Sequence, residues 1–149
     1  MTAPLALPAA AIFDLDGVIT FTARVHAAAW KQLFDTYLLS RQHRFGEPFR
    51  PFDDAADYHK YVDGKPRYDG VLAFLRSRGI HVLYGQPSDA PDAETVCGLG
   101  NRKNDLFNSK LQEMGVEVDQ DAVRFVRELR GQGIRVGLAS SSKNAGPVL

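Results

Sequence analysis

At 149 residues, 44% of them hydrophobic, the chain can bury one sizeable core but is short for two independently stable ones. Its 18 basic residues balance 18 acidic ones, which argues against nucleic acid as a partner because there is no basic surplus to hold a phosphate backbone. The single cysteine, Cys97, excludes an internal disulfide or a cysteine-rich metal cage; it reads as a small packing residue and fits a reducing compartment.

The first eleven residues are apolar and small, but no Lys or Arg precedes them and Pro4 and Pro8 interrupt them, so a secretory leader is the weaker reading. No uninterrupted apolar run reaches the roughly 18 residues of a membrane-spanning helix. The expectation is a soluble cytoplasmic chain without a membrane partner. Residues 9–13, Ala-Ala-Ala-Ile-Phe, form a short apolar run that stops at Asp14, the pattern of a strand buried on both faces as in parallel sheets. From residue 24 to about 39, Trp30, Leu33, Phe34, Tyr37 and Leu38 recur at helical spacing, with Thr22 as a cap. Residues 40–53 carry Gly46, Pro48 and Pro51 and read as a loop. Asp53 or Asp54 then caps a helix through about Val62, and residues 68–78 predict another, ended by Gly79.

After a second loop over 85–91, residues 101–114 place Leu106, Phe107, Lys110, Leu111 and Met114 on one helical stripe, with Gly115 as its C-terminal stop. Asp119 or Asp121 starts a further helix, with Val123, Val126 and Leu129 inward and Gly131 and Gly133 at its end. Residues 134–139 read as a strand that runs into Ser140. One strand, a block of helices, one more helix and one more strand make a βαβ crossover with a helical domain inserted after the first strand.

Asp14-Leu15-Asp16-Gly17 sets two carboxylates just past the first strand, with Gly17 allowing a sharp turn. The carboxyl end of a strand in an open α/β sheet is where ligands bind, although Asp-x-Asp-Gly alone serves equally well as a plain turn. Ser140-Ser141-Ser142-Lys143-Asn144 gathers hydroxyls, backbone N–H groups and a lysine in a form suited to a phosphate dianion, or to a solvated polar turn.

The longer string Phe13-Asp14-Leu15-Asp16-Gly17-Val18-Ile19-Thr20 closely resembles the first signature of the haloacid dehalogenase superfamily, and the segment 140–144 resembles the second signature in its β-phosphoglucomutase-like form. The resemblance implies an α/β fold: a Rossmann-like core with a parallel sheet, incomplete here, and an inserted α-helical cap. It assigns residues 1–21 and 117–149 to the core and 22–116 to the cap. It implies Asp14 as the nucleophile that attacks phosphorus and Asp16 as the group that shuttles the leaving-group proton, roles that carboxylates can fill. Both would serve a Mg²⁺ ion. Ser140, Ser141, Ser142, Lys143 and Asn144 would hold the substrate phosphate. His26 and Trp30 fall where that branch has a His and a Trp near its hinge and substrate. Arg67 in Gly64-Lys65-Pro66-Arg67 and Lys103 in Arg102-Lys103-Asn104 fall at its cap contacts to a sugar phosphate, and Arg suits bidentate phosphate recognition. In isolation each would be an exposed charged turn, His26 a structural histidine and Trp30 core. Phe21 departs from the pattern, since relatives place an Asp after the Ile-Thr pair.

The implied activity is Mg²⁺-dependent phosphoryl transfer on a sugar phosphate through an aspartyl-phosphate, of mutase or phosphatase type. The family pattern goes on to a further lysine and an acidic motif that have no counterpart before Leu149, which predicts little activity for this chain by itself. The alternative is therefore a truncated, catalytically incomplete fragment that binds sugar phosphate or nothing. Only two strands can be drawn from the sequence, leaving open sheet edges through which the chain could self-associate. A phosphate-accepting receiver domain is disfavoured, because receivers join their first two strands by a single helix.

Overall fold

The computed structural model describes residues 7–140. In chain order these form β1 (Ala10–Asp14), α1 (Ala23–Phe45), a π-helical turn (Tyr58–Val62), α2 (Arg67–Ser77), α3 (Val96–Met114), α4 (Gln120–Gly131) and β2 (Arg135–Ala139). Two compact units result. The first takes the chain up to Ala23 and again from Val116; the second is Arg24–Gly115. No helix among the described residues is long and apolar enough to cross a membrane.

In the first unit β1 and β2 pair in parallel, in register from Ala10 opposite Arg135 to Asp14 opposite Ala139. One step further on, the Leu15 N–H donates to the Ala139 carbonyl at 3.0 Å. The Asp119 carboxylate caps α4 by accepting from the backbone N–H groups of Asp121 and Ala122, both at 2.9 Å, and Gly133, at φ +79°, turns the chain into β2. The expected burial of β1 on both faces is not what forms. Ala11 and Phe13 are half-buried, Phe13 meeting Phe125 edge-on at 6.0 Å, while Ile12 on the opposite face is 77% exposed. With two strands and α4 as its described parts, this α/β unit covers one sheet face only, and Val123, Val126 and Leu129 are likewise half-buried.

The second unit has its own core. Phe34 of α1 stacks between Trp30 (5.3 Å) and Phe52 (5.3 Å) and tilts against Phe74 of α2 at 4.0 Å. All four side chains are buried, and Leu33, Leu75 and Leu99 close the cluster. Three boundaries differ from expectation for identifiable reasons. Helix α1 runs on to Phe45, six residues into the predicted loop, because Arg41 in its last turns is held by Glu47 at 2.5 Å and 2.7 Å and Gly46, at φ +69°, supplies the stop. Asp53 does cap a turn, accepting from the Ala55 and Ala56 N–H groups, but the segment winds as a π-helix. Helix α3 starts at Val96, capped by Thr95, whose hydroxyl accepts from the Gly98 N–H at 2.9 Å. Gly98 and Gly100 lie buried in its first turns. A Cβ on Gly98 would run into the carbonyl oxygens of Ala93 and Ala90.

Truncating Phe34 to alanine should remove the centre of the aromatic cluster and destabilise the second unit by about 3–5 kcal/mol. Urea unfolding followed by the fluorescence of Trp30, the chain's single tryptophan, measures this. A second expectation concerns Glu94, which accepts from Arg44 at 2.8 Å and from the Tyr37 hydroxyl at 2.9 Å. Arg44 and then Tyr37 hold its carboxyl below the ordinary range against the opposing effect of burial. A depressed folded-state pKa contributes stability that is present above the unfolded value and lost as pH falls through the folded one. The melting temperature should therefore fall more steeply below about pH 4 in the parent than in Glu94→Gln.

Candidate functional site

Asp14 ends β1, and the chain leaves it through a tight loop. The Leu15 side chain is buried, its carbonyl accepts from the N–H groups of Ile19 (3.1 Å) and Thr20 (3.0 Å), and Gly17, at φ +83°, donates to the Thr20 carbonyl at 2.7 Å. The loop is pinned beside the segment that precedes α4: Phe21 N–H donates to the Glu117 carbonyl at 2.8 Å, and Asp119 N–H to that of Ile19 at 2.9 Å. The Phe21 side chain is 41% exposed, so the polar contacts of this loop come from its neighbours, the buried residues Thr20 and Thr22.

The two carboxylates are in unlike surroundings. Asp14 is exposed, and its carboxylate accepts no hydrogen bond from any described residue. Asp16 is half-buried; Thr22 Oγ1 donates to its Oδ1, and Ser140 Oγ donates to its Oδ2 at 2.9 Å. The hydroxyls of Thr20 and Thr22 lie 3.0 Å apart, which extends the chain of hydroxyls away from Asp16 into the buried side of the loop. One carboxylate is thus accessible for attack on an electrophile, and the other is aimed, as a group that gives and takes a proton must be. Thr22, expected as a helix cap, and Thr20, part of the signature string, join the site through these bonds. The available signal was two hydroxyls at alternate positions shortly after Gly17. Asp14, Asp16 and Ser140 come together in the first unit, while Ser141, Ser142, Lys143 and Asn144 lie outside the described residues.

The remaining candidates belong to the second unit. Lys103 corrects the expectation of an exposed charged turn. Because α3 begins at Val96, Lys103 falls inside the helix and is 5% exposed, its Nζ 2.6 Å from His26 Nδ1 and about 5 Å above two rings, Trp30 at 5.0 Å and Phe107 at 4.9 Å. His26 stacks on Phe107 at 4.2 Å. With Lys103 as an ammonium, which carries donors only, Nδ1 of His26 would accept this bond and the ring proton would be assigned to Nε2. Trp30 is core, as a tryptophan on an apolar stripe should be. Arg67, the first residue of α2, is half-buried, and its guanidinium makes no hydrogen bond or ion pair with the described residues. Cys97 is fully buried, which pushes its thiol above the ordinary range and fits the packing role.

The Lys103 environment generates an expectation that differs from that for a surface lysine. Lys103→Ala should cost more than about 1 kcal/mol in chemical denaturation, where an exposed lysine would stay within about 0.5 kcal/mol. Long-range ¹H–¹⁵N correlation should place the His26 proton on Nε2; a proton on Nδ1 would show that Lys103 is not its donor.

A family model of haloacid dehalogenase-like hydrolases matches residues 8–148. The β-phosphoglucomutase of Mycobacterium bovis is 51% identical over 140 residues, covering 94% of this chain and 53% of that protein. The β-phosphoglucomutase of Bacillus subtilis is 31% identical over 141 residues, with 94% and 54% covered. Among solved structures, β-phosphoglucomutase from Clostridium difficile superposes with a TM-score of 0.68 at 26% identity, covering 96% of this chain and 56% of that one. The chain thus spans about half the length of these relatives, and its two parallel strands and helices fit part of a haloacid dehalogenase-like, Rossmann-type fold. With the signature aspartates at the end of β1 and the family match running through nearly the whole sequence, the chain belongs to the haloacid dehalogenase-like hydrolases.

Proposed function

We propose that the chain carries the nucleophile and the acid–base group of a Mg²⁺-dependent phosphotransferase acting on a sugar phosphate, of the β-phosphoglucomutase or sugar-phosphate phosphatase type. The observation that carries this reading is the unlike setting of the two signature carboxylates, Asp14 exposed and Asp16 held on both oxygens by Thr22 and Ser140. Asp14 attacks phosphorus and becomes an aspartyl-phosphate; Asp16 protonates the departing oxygen and later takes a proton from the acceptor, water in a phosphatase or a sugar hydroxyl in a mutase. On this reading the first unit is the catalytic core and the second the inserted cap. Arg67 and Lys103 with His26 would recognise the sugar phosphate, while Ser140 and the segment 141–144 would face the transferring phosphate. The half-buried Arg67, whose guanidinium has no partner among the described residues, and the sugar-phosphate chemistry in the names of the relatives support the substrate class.

The donor set fits Mg²⁺. Asp14 and Asp16 offer only hard carboxylate oxygens. That suits an ion which keeps several waters and binds through one or two carboxylates plus phosphate oxygens. Asp14 would be its principal ligand, with Asp16 contributing from lone pairs its hydroxyl partners leave open. When bound, Mg²⁺ offsets the repulsion between a carboxylate and a phosphate, about 4 kcal/mol for a charge pair at 4 Å in an effective dielectric of 20.

The 149-residue chain alone should turn over β-glucose 1-phosphate or an aryl phosphate at trace level at most. Its site holds two carboxylates and a weakly held cation against a transition state stabilised mainly by electrostatics. Supplied with the second half of the Mycobacterium bovis relative, fused or in trans, it should gain Mg²⁺-dependent turnover that Asp14→Asn abolishes. Acid-quench mapping should find the phosphoryl label on Asp14. Label on Asp16, or undiminished turnover in Asp14→Asn, would overturn the assignment.

A further inference from the structure

Helices α2 and α3 meet with less room than side chains ordinarily need. A Cβ on Gly100 would lie 2.5 Å from Tyr68 Cδ1, 2.8 Å from its Cε1 and 3.4 Å from Arg67 Cγ. Gly100 has no positive φ, so it is the closeness of α2, and not the backbone conformation, that requires glycine here. The next residue completes the arrangement. Asn101 Oδ1 accepts from the Tyr68 hydroxyl at 2.9 Å, and Asn101 Nδ2 donates to the carbonyls of Pro87 (3.0 Å) and Asp89 (2.8 Å). The loop that supplies those carbonyls is itself tied down: Asp89 accepts from the Thr95 hydroxyl at 2.7 Å and from Gln86 N–H at 3.1 Å, and Arg102 donates to the Pro91 carbonyl at 2.6 Å. The Tyr68 ring therefore has a glycine floor, and its hydroxyl has a fixed acceptor.

Arg67 is the residue immediately before Tyr68, and its stem rests on the same glycine. A long side chain with no partner for its guanidinium among the described residues loses considerable freedom when it binds a ligand. Fixing its backbone and stem beforehand lowers that cost. We propose that Gly100, Tyr68 and Asn101 are positioning residues for Arg67: together they set the place from which its guanidinium meets the phosphate of a sugar phosphate. This rests on the reading of Arg67 as a substrate-binding arginine and adds to it the residues that make the arginine effective.

The test titrates β-glucose 1-phosphate into the ¹⁵N-labelled 149-residue chain. It uses the parent, Arg67→Ala, Tyr68→Phe, Asn101→Ala and Gly100→Ala, and each of the last three combined with Arg67→Ala. Arg67→Ala should weaken binding about tenfold, the loss expected for a charge-assisted contact. Tyr68→Phe, Asn101→Ala and Gly100→Ala should each weaken it several-fold, and the double variants should be no weaker than Arg67→Ala alone, because the three act through that arginine. Tyr68→Phe keeps both the ring and the glycine, so its result stands even where the Gly100→Ala methyl prevents folding. Unchanged affinity in the three variants, with Arg67→Ala still weakened, overturns the positioning role and leaves the arginine's role intact. Losses that add in the doubles show a general structural effect and overturn it as well. Parent-like affinity in Arg67→Ala, or no binding by the parent chain, overturns the substrate role of Arg67 itself.

Discussion

Asp16 and Ser140 stand 124 positions apart and share a hydrogen bond, and the site in the first unit depends on the parallel pairing that brings them together. Parallel strands have no hairpin solution; a long crossover must join them. The closure cost of such a connection grows only with the logarithm of its length, about 0.6 kcal/mol for each doubling, so a large insertion is tolerated if the ladder is well specified. Here the ladder continues past β2 through the Leu15 bond to Ala139, which puts the next residue, Ser140, beside the carboxylate of Asp16. A slip of one residue would turn every side chain of β1 to the other face and separate that pair.

The second unit solves a different problem. It contains no sheet, so its helices must find each other through side chains. It does so with an aromatic cluster at Phe34 and with glycines where backbones come closest. Gly98 and Gly100 each sacrifice about 1 kcal/mol of intrinsic helix preference relative to alanine. The return is a loop wound onto α3 and an α2 whose first turn rests directly on it. The buried Lys103 belongs to the same economy of space, its ammonium placed between two rings and an imidazole nitrogen instead of in water.

Much of this was legible in the residues. The apolar run ending at Asp14, the Asp119 cap, the glycine after α4 and the strand leading to Ser140 are local signals, and local signals survive folding. The first turns of α3 were not legible, because a glycine that breaks an isolated helix looks the same as one that admits a neighbouring ring; only the position of Tyr68 separates the two. The burial of Lys103 was hidden for the same reason, since a helix begun at residue 101 would leave the lysine at its exposed end. The last turns of α1 were hidden by the prolines beyond them, although the partners of Arg41, Glu47 nearby and Glu94 far along the chain, are what hold that end. The hydroxyls of Thr20 and Thr22 lay within or beside the recognised string, and their link to Asp16 needed the loop's geometry.

The pinning of Phe21 to Glu117 and of Thr20 opposite Val118 has a consequence for how such a chain can change over evolutionary time. Within the first unit, the chain departs and returns at hydrogen-bonded neighbours, Phe21 beside Glu117. Everything between Arg24 and Gly115 could in principle be lengthened, shortened or exchanged for another module without breaking a rung of the β1–β2 ladder. Selection could then act on the inserted segment and on the aspartates almost independently, new recognition surfaces arising in one while the reacting groups of the other stay where the strands hold them.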